Sequence, residues 1–102
     1  MDNEKLTRAL AFFERSDDLP LLHETLRSIR PRAAKAVMDF ERRGKNPPPP
    51  KTIARADTPA TQAEALTTLK AVSDFSELQA LARAIGRRIE TLEAEAGVTE
   101  ES

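Results

Sequence analysis

Four consecutive prolines, residues 47–50, lie in the middle of a chain that elsewhere shows helical periodicity. Proline fixes φ and has no N–H donor, so a run this dense neither continues a helix nor forms the centre of a sheet. We expect a polyproline II segment that rises about 3.1 Å per residue. The linker around it, residues 45–57, is then long enough to follow a helix of about a dozen residues. Its single large apolar residue, Ile53, is expected to pin it onto the helices.

The first segment with helical periodicity is residues 4–15, where apolar side chains recur at spacings of three and four. Asp18 is placed to cap a second helix, with Pro20 near the first position, where a missing N–H costs nothing. Gly44 supplies the left-handed residue that commonly ends a helix. We therefore predict a helical N-terminal unit, residues 1–44.

The second helical segment contains a proline in its interior. Its apolar positions stay in phase through Pro31 at spacings of three and four. Because proline clashes with the carbonyl four residues earlier, the segment is either one kinked helix, 19–43, or two helices, 19–29 and 31–43. In both cases the preserved phase directs the two halves to the same core.

Beyond the linker, residues 58–97 are predicted to form a helical hairpin. Thr58 is placed to cap its first helix, with Pro59 at the first helical position. The second helix follows a capping-box pattern at residues 74–77, and we expect Gly97 to end it. No segment alternates with a period of two, so the sequence predicts an all-α bundle of four or five helices with a central extended linker.

The last helix carries an apolar seam whose spacing of three and four is unbroken. The residues of the seam are Phe75, Leu78, Ala82, Ile85, Ile89 and Leu92. This heptad pattern is typical of a helix that packs lengthwise against another helix. Since the chain is short and alanine fills many core positions, we expect the seam to mediate self-association or partner docking. Packing inside the same chain is the alternative.

Gly86 lies beside this seam, in the interior of the predicted helix, where glycine costs about 1 kcal/mol relative to alanine. It indicates either a close crossing of helices, a partner's side chain lodged against it, or a tolerated surface glycine.

Charge is distributed unevenly, although the net charge is only −1. Residues 1–25 carry a net charge of −3, residues 26–55 carry +7, and residues 56–102 carry −5. The basic segment either lies beside the acidic helices of its own chain or offers a surface for an acidic partner or for phosphates. The residues of this predicted surface are Arg27, Arg30, Arg32, Lys35, Arg42, Arg43 and Lys45, and Lys51 and Arg55 lie further along.

Residues suited to catalysis are sparse. The chain has no cysteine and one histidine, His23, which is expected on the surface, so no metal site is predicted. None of the serines lies in a nucleophile elbow, and the three glycines form no phosphate loop. We therefore predict no cofactor and no enzymatic activity.

The sequence favours a non-enzymatic interaction module, such as an adaptor, an assembly subunit or a regulator, whose partner is another protein or a second copy. Binding of nucleic acid through residues 27–55 is the alternative, opposed by a pI of about 5.9 and by the absence of Tyr and Trp. An accessory subunit of an enzyme complex is a second alternative.

The proline run is predicted to be a spacer, because Lys51 and Thr52 break the spacings that proline-reading domains recognise. No signal-peptide pattern and no apolar stretch of membrane-spanning length is visible, so we expect a cytoplasmic protein without a membrane partner.

Overall fold

The computed structural model describes the backbone of residues 3–101 and the side chains of residues 3–96. Four helices form this part of the chain: α1 (Asn3–Arg15), α2 (Leu19–Arg42), α3 (Gln62–Ala71) and α4 (Phe75–Glu101). The described residues contain no strand, and the segment between α2 and α3 has no regular secondary structure. The prediction of an all-α fold with an extended linker is confirmed.

α2 is a single helix that begins at the predicted cap. The Leu21 N–H donates to Asp18 Oδ1 at 3.1 Å, and Pro20 lies in the first turn, where it interrupts no helical hydrogen bond. Pro31 lies inside the helix, which continues to Arg42. Of the two alternatives left open by the sequence, the structure has the continuous helix.

Gly44 terminates α2 two residues after its last helical residue, as the sequence predicts. Gly44 has a φ of +70°, and its N–H donates to the Glu41 carbonyl at 3.0 Å. The Lys45 N–H donates to the Phe40 carbonyl at 2.9 Å. These two bonds form a Schellman motif, which satisfies carbonyls that the helix would otherwise leave open.

Two of the predicted helix ends are wrong. α3 begins after Thr61 rather than Thr58, because Thr61 and Glu64 form a reciprocal capping box. The Glu64 N–H donates to Thr61 Oγ1 at 3.2 Å, and the Thr61 N–H donates to Glu64 Oε1 at 3.0 Å. Thr58 has no acidic residue three positions later. α4 continues through Gly97 to Glu101, because glycine adopts helical as readily as left-handed backbone angles.

Each of α1 and α4 packs against two other helices. α4 packs against α1 and α2, and α1 also packs against α3. α2 and α4 run antiparallel: Phe40 and Phe75 meet at one end with ring centroids 5.7 Å apart, and His23 lies 3.4 Å from Glu93 at the other. These contacts connect the predicted N-terminal unit to the residues that follow the linker.

The apolar seam of α4 lies in the core of the same chain. The structure places all of its residues in buried or half-buried positions: Phe75, Leu78, Ala82, Ile85, Ile89 and Leu92. The helices that pack against α4 and cover the seam are α1 and α2. A Cβ added at Gly86 would meet nothing within 4 Å, so Gly86 is not the site of a close helix crossing within the described part of the chain.

Candidate cationic groove

The linker lies along the helices and is fixed to them by backbone and side-chain contacts. The Lys51 N–H donates to the Ser76 carbonyl, and the Ala60 N–H donates to the Arg8 carbonyl, each at 3.0 Å. Between these ties, the Ile53 side chain packs against the hydrophobic core, as expected from the sequence. Pro50 and the linker residues after it form one wall of a surface feature.

An open groove of about 550 Å³ lies between this wall, the second half of α1 and the middle of α4. Its apolar floor includes Leu10, Ile53 and Ala84, and among residues 3–96 the only acidic residue that lines it is Glu14. Six basic residues line it: Arg15, Lys51, Arg55, Arg83, Arg87 and Arg88. We call this feature the cationic groove; its volume is within the range of about 300–1,000 Å³ that is usual for ligand sites.

Two of these basic residues tie α1 to the linker. Arg55 lies 3.5 Å from the carboxylate of Glu14, and Arg15 Nη1 donates to the Asp57 carbonyl at 3.3 Å. The Arg55 side chain is 81% exposed, so this ion pair contributes little to stability. Its effect is to keep the linker charges beside the groove.

Two further basic residues are held by α4 and by the turn before α2. Lys51 Nζ lies 3.3 Å from Glu77, whose side chain is only 10% exposed and therefore needs a partner for its charge. Arg88 Nε donates to the Ser16 carbonyl at 2.7 Å, and its guanidinium also binds the carboxylate of Asp17. These contacts position the groove walls and leave part of each cation facing the groove.

Arg83 and Arg87 are the unpaired cations of the groove. Neither side chain forms a hydrogen bond or ion pair within residues 3–96, and both are exposed. They are one helical turn apart, so their guanidinium groups lie on the same face of α4. Like charges at this spacing destabilise a helix by about 0.2–0.5 kcal/mol, and a bound anion would remove that repulsion.

The basic surface predicted on α2 lies away from the groove, and the structure uses part of it internally. Arg32 Nη1 donates to the Leu69 carbonyl at 3.1 Å, and Nη2 donates to the Val72 carbonyl. Arg42 lies 2.8 Å from Asp39. The remaining residues of that predicted surface are exposed on α2 or just after it: Arg27, Arg30, Lys35, Arg43 and Lys45.

Most of the cations that line the groove were not predicted from the sequence. Arg15 and the arginines of α4 lie in segments whose net charge is negative, so the net charge of each segment does not reveal them. A signal does exist: Arg83, Arg87 and Arg88 fall within six residues, and no Lys or Arg follows them. Lys51 and Arg55, which belong to the basic segment 26–55, do line the groove.

Other kinds of site find little support in the described part of the chain. Within it, no group of three or more His, Cys, Asp or Glu side chains could hold a metal ion. Of the helices there, none combines the length and the apolar character needed to cross a membrane. The pKa of Glu64 is lowered, chiefly by the hydrogen bond from the Thr61 backbone and then by that from the Thr61 hydroxyl, but this carboxylate caps α3.

Comparison of the chain with protein-family models, with curated proteins and with solved structures finds no match. The charges and geometry of the groove are therefore the basis for a functional proposal.

Proposed function

We propose that the protein is a non-enzymatic cytoplasmic interaction module, an adaptor or assembly subunit, which binds an acidic segment of a protein partner in the cationic groove. The observation that carries the proposal is the lining of the groove, in which six basic side chains and one acidic side chain surround an apolar floor. A segment that combines carboxylates with small apolar side chains complements both parts. Complementary charge also steers such a partner into the groove and selects against basic competitors.

A peptide suits the groove better than a nucleic acid does. Single strands bind to aromatic platforms on which the bases stack, and no aromatic side chain lines the groove. Phe13 and Phe75 are buried, and Phe12 packs against the core. The apolar floor would face a phosphate backbone without offering it a hydrogen bond, whereas it can bury the methyl groups of a peptide.

The test is a binding titration with a fluorescent peptide of alternating Glu and Ala. Arg83→Glu combined with Arg87→Glu should weaken binding by at least about tenfold, because the two unpaired cations are replaced by anions. The matched control is Arg27→Glu combined with Arg30→Glu, which makes the same change in net charge on the exposed face of α2. The control should retain binding to within about twofold at about 0.15 M salt, since it lies outside the groove.

Equal loss of binding in both double variants would contradict the proposal, because net charge and not the groove would then set the affinity. Circular dichroism checks that both variants stay helical. A parallel titration with a duplex and a single-stranded oligonucleotide tests the alternative based on residues 27–55. Oligonucleotide binding that falls steeply with salt and is abolished in the α2 double variant would favour that alternative.

A further inference from the structure

The end of α4 carries the charge opposite to that of the groove. After Arg88 the sequence contains no Lys or Arg, but it contains five glutamates: Glu90, Glu93, Glu95, Glu100 and Glu101. Residues 93–96 are all exposed. Four consecutive residues of a helix point in all directions around its axis, so most of the α4 surface at this level faces solvent, although His23 of α2 lies 3.4 Å from Glu93. We call residues 90–101 the acidic end of α4.

Beyond Thr91, the acidic end leads away from the groove of its own chain. Arg83, Arg87 and Thr91 line the groove, and the same helix continues without a break to Glu101. Since a helix advances 1.5 Å per residue, Glu95 lies about 12 Å beyond Arg87 along the helix axis, on the side away from the groove. The glutamates beyond Thr91 can therefore meet the cations of a groove only between two molecules.

We propose that the acidic segment bound by the cationic groove belongs to a second copy of this chain, and that two copies pair through antiparallel α4 helices. This inference rests on the proposed function of the groove. Along α4 the basic part precedes the acidic part, and such an order is self-complementary when two copies run in opposite directions. One twofold axis then places each acidic end in the groove of the other copy, which closes the assembly at two subunits.

The side chains of the acidic end fit this role. Glu90 and Glu93 are three residues apart and so lie on one face of the helix, as Arg83 and Arg87 do at a spacing of four. Ala94 lies one turn from Glu90 and is small enough to let the helix approach the apolar floor of the partner's groove. This surface differs from the apolar seam, which is already buried inside each chain.

Light scattering on the full chain, over a range of concentrations at about 0.02 M salt, measures the association. The wild type should reach the mass of a dimer and dissociate as salt rises to about 1 M, where charges are screened within about 3 Å. Arg83→Glu with Arg87→Glu should be monomeric, as should Glu90→Arg with Glu93→Arg, because each change places like charges opposite each other. In each case the dissociation constant should rise by at least about tenfold.

Mixing the two double variants provides the decisive measurement. In the mixed pair each altered groove faces an altered acidic end of the opposite sign, so an equimolar mixture should recover the dimer that neither variant forms alone. Unfolded variants would not recover the dimer on mixing. Circular dichroism on each variant verifies that it is still helical. A monomeric wild type at low salt, or an equimolar mixture that stays monomeric, overturns the inference.

The outcome for the groove itself is separate. If the wild type is monomeric but the Glu–Ala peptide still binds in a manner that requires Arg83 and Arg87, the proposed function stands and the second copy is not the partner. If the peptide does not bind and the chain is monomeric, both proposals fail. Dimers that persist unchanged in both double variants would place the interface elsewhere and overturn the inference.

Discussion

Replacing Arg32 by alanine should destabilise the fold without weakening the binding of an acidic peptide. The guanidinium extends from α2 to the C-terminal end of α3, where it donates to the carbonyls of Leu69 and Val72. A helix leaves its last carbonyls without intrahelical partners, and a cation there also interacts favourably with the helix dipole. Arg32 thus acts as a cap on α3 supplied by another helix.

The magnitude follows from the two hydrogen bonds. A hydrogen bond to a charged group contributes about 1.5–3 kcal/mol, and the two bonds are lost together, so their effects do not simply add. Arg32 is half-buried, and water reaches part of the exposed carbonyls after truncation. We therefore expect a loss of about 2 kcal/mol in the free energy of unfolding, or a fall of about 8–16 °C in the melting temperature. Arg32→Lys should be intermediate, because lysine keeps the charge but lacks the planar fork.

Urea unfolding followed by far-ultraviolet circular dichroism measures the effect. Arg27→Ala is the matched control: Arg27 lies on the same helix, is exposed, and has no partner within residues 3–96. Its replacement should change the free energy of unfolding by no more than about 0.5 kcal/mol. Equal effects of the two substitutions would refute the reasoning. A loss of peptide binding in folded Arg32→Ala comparable to that of the groove variant would instead place the acidic ligand on α2.

Ile85→Asp puts an unpaired charge into a fully buried position, so it should unfold the chain at a cost of several kcal/mol rather than yield a helical protein of lower mass, as light scattering with circular dichroism can determine. Gly44→Ala should lose about 1–2 kcal/mol in urea unfolding because φ is +70°, whereas Gly86→Ala should gain about 0.5–1 kcal/mol because a Cβ there meets nothing. Thr61→Ala should cost about 1 kcal/mol through the loss of the α3 cap. Because the pKa of Glu64 is lowered in the folded state, its carboxylate stabilises the fold above the ordinary carboxyl pKa, and this stabilisation is lost as pH falls through the folded pKa. When urea unfolding is measured at decreasing pH across this range, the midpoint should fall less for Glu64→Gln than for the wild type.

Features that depend on neighbouring residues were predictable from the sequence. Asp18 and Gly44 mark the two ends of α2 correctly, because each acts on backbone groups within four residues of itself. The same locality explains the error at Thr58, where a threonine followed by proline resembles a cap but lacks the Glu64 that completes the box at Thr61. The sequence could not decide between one helix through Pro31 and two helices on either side of it, because the packing of neighbouring elements determines whether a helix tolerates a proline.

Features that depend on distant elements were not predictable. Leu81 is fully buried but lies outside the predicted seam, because α4 packs against both α1 and α2 and so buries a wider face than a two-helix seam requires. Arg32 was assigned to a binding surface, since nothing in its neighbourhood indicates the α3 carbonyls that it caps. The groove combines α1, the linker and α4, and sequence spacing does not reveal that Arg15 and Arg87 line one cavity.

The packing partners of α1 determine when α1 can fold during synthesis of the chain. α1 is synthesised before the helices against which it packs, because α3 and α4 both follow the linker. On the ribosome, Leu6 and Phe13 therefore stay without their native neighbours until the linker and most of α4 have emerged. Contacts of such large sequence separation form slowly, because the entropy of closing the loop is lost before packing contributes any stabilisation. We expect nascent chains that stop within the linker to be sensitive to protease and to bind chaperones, and protection to appear only when α4 has left the exit tunnel.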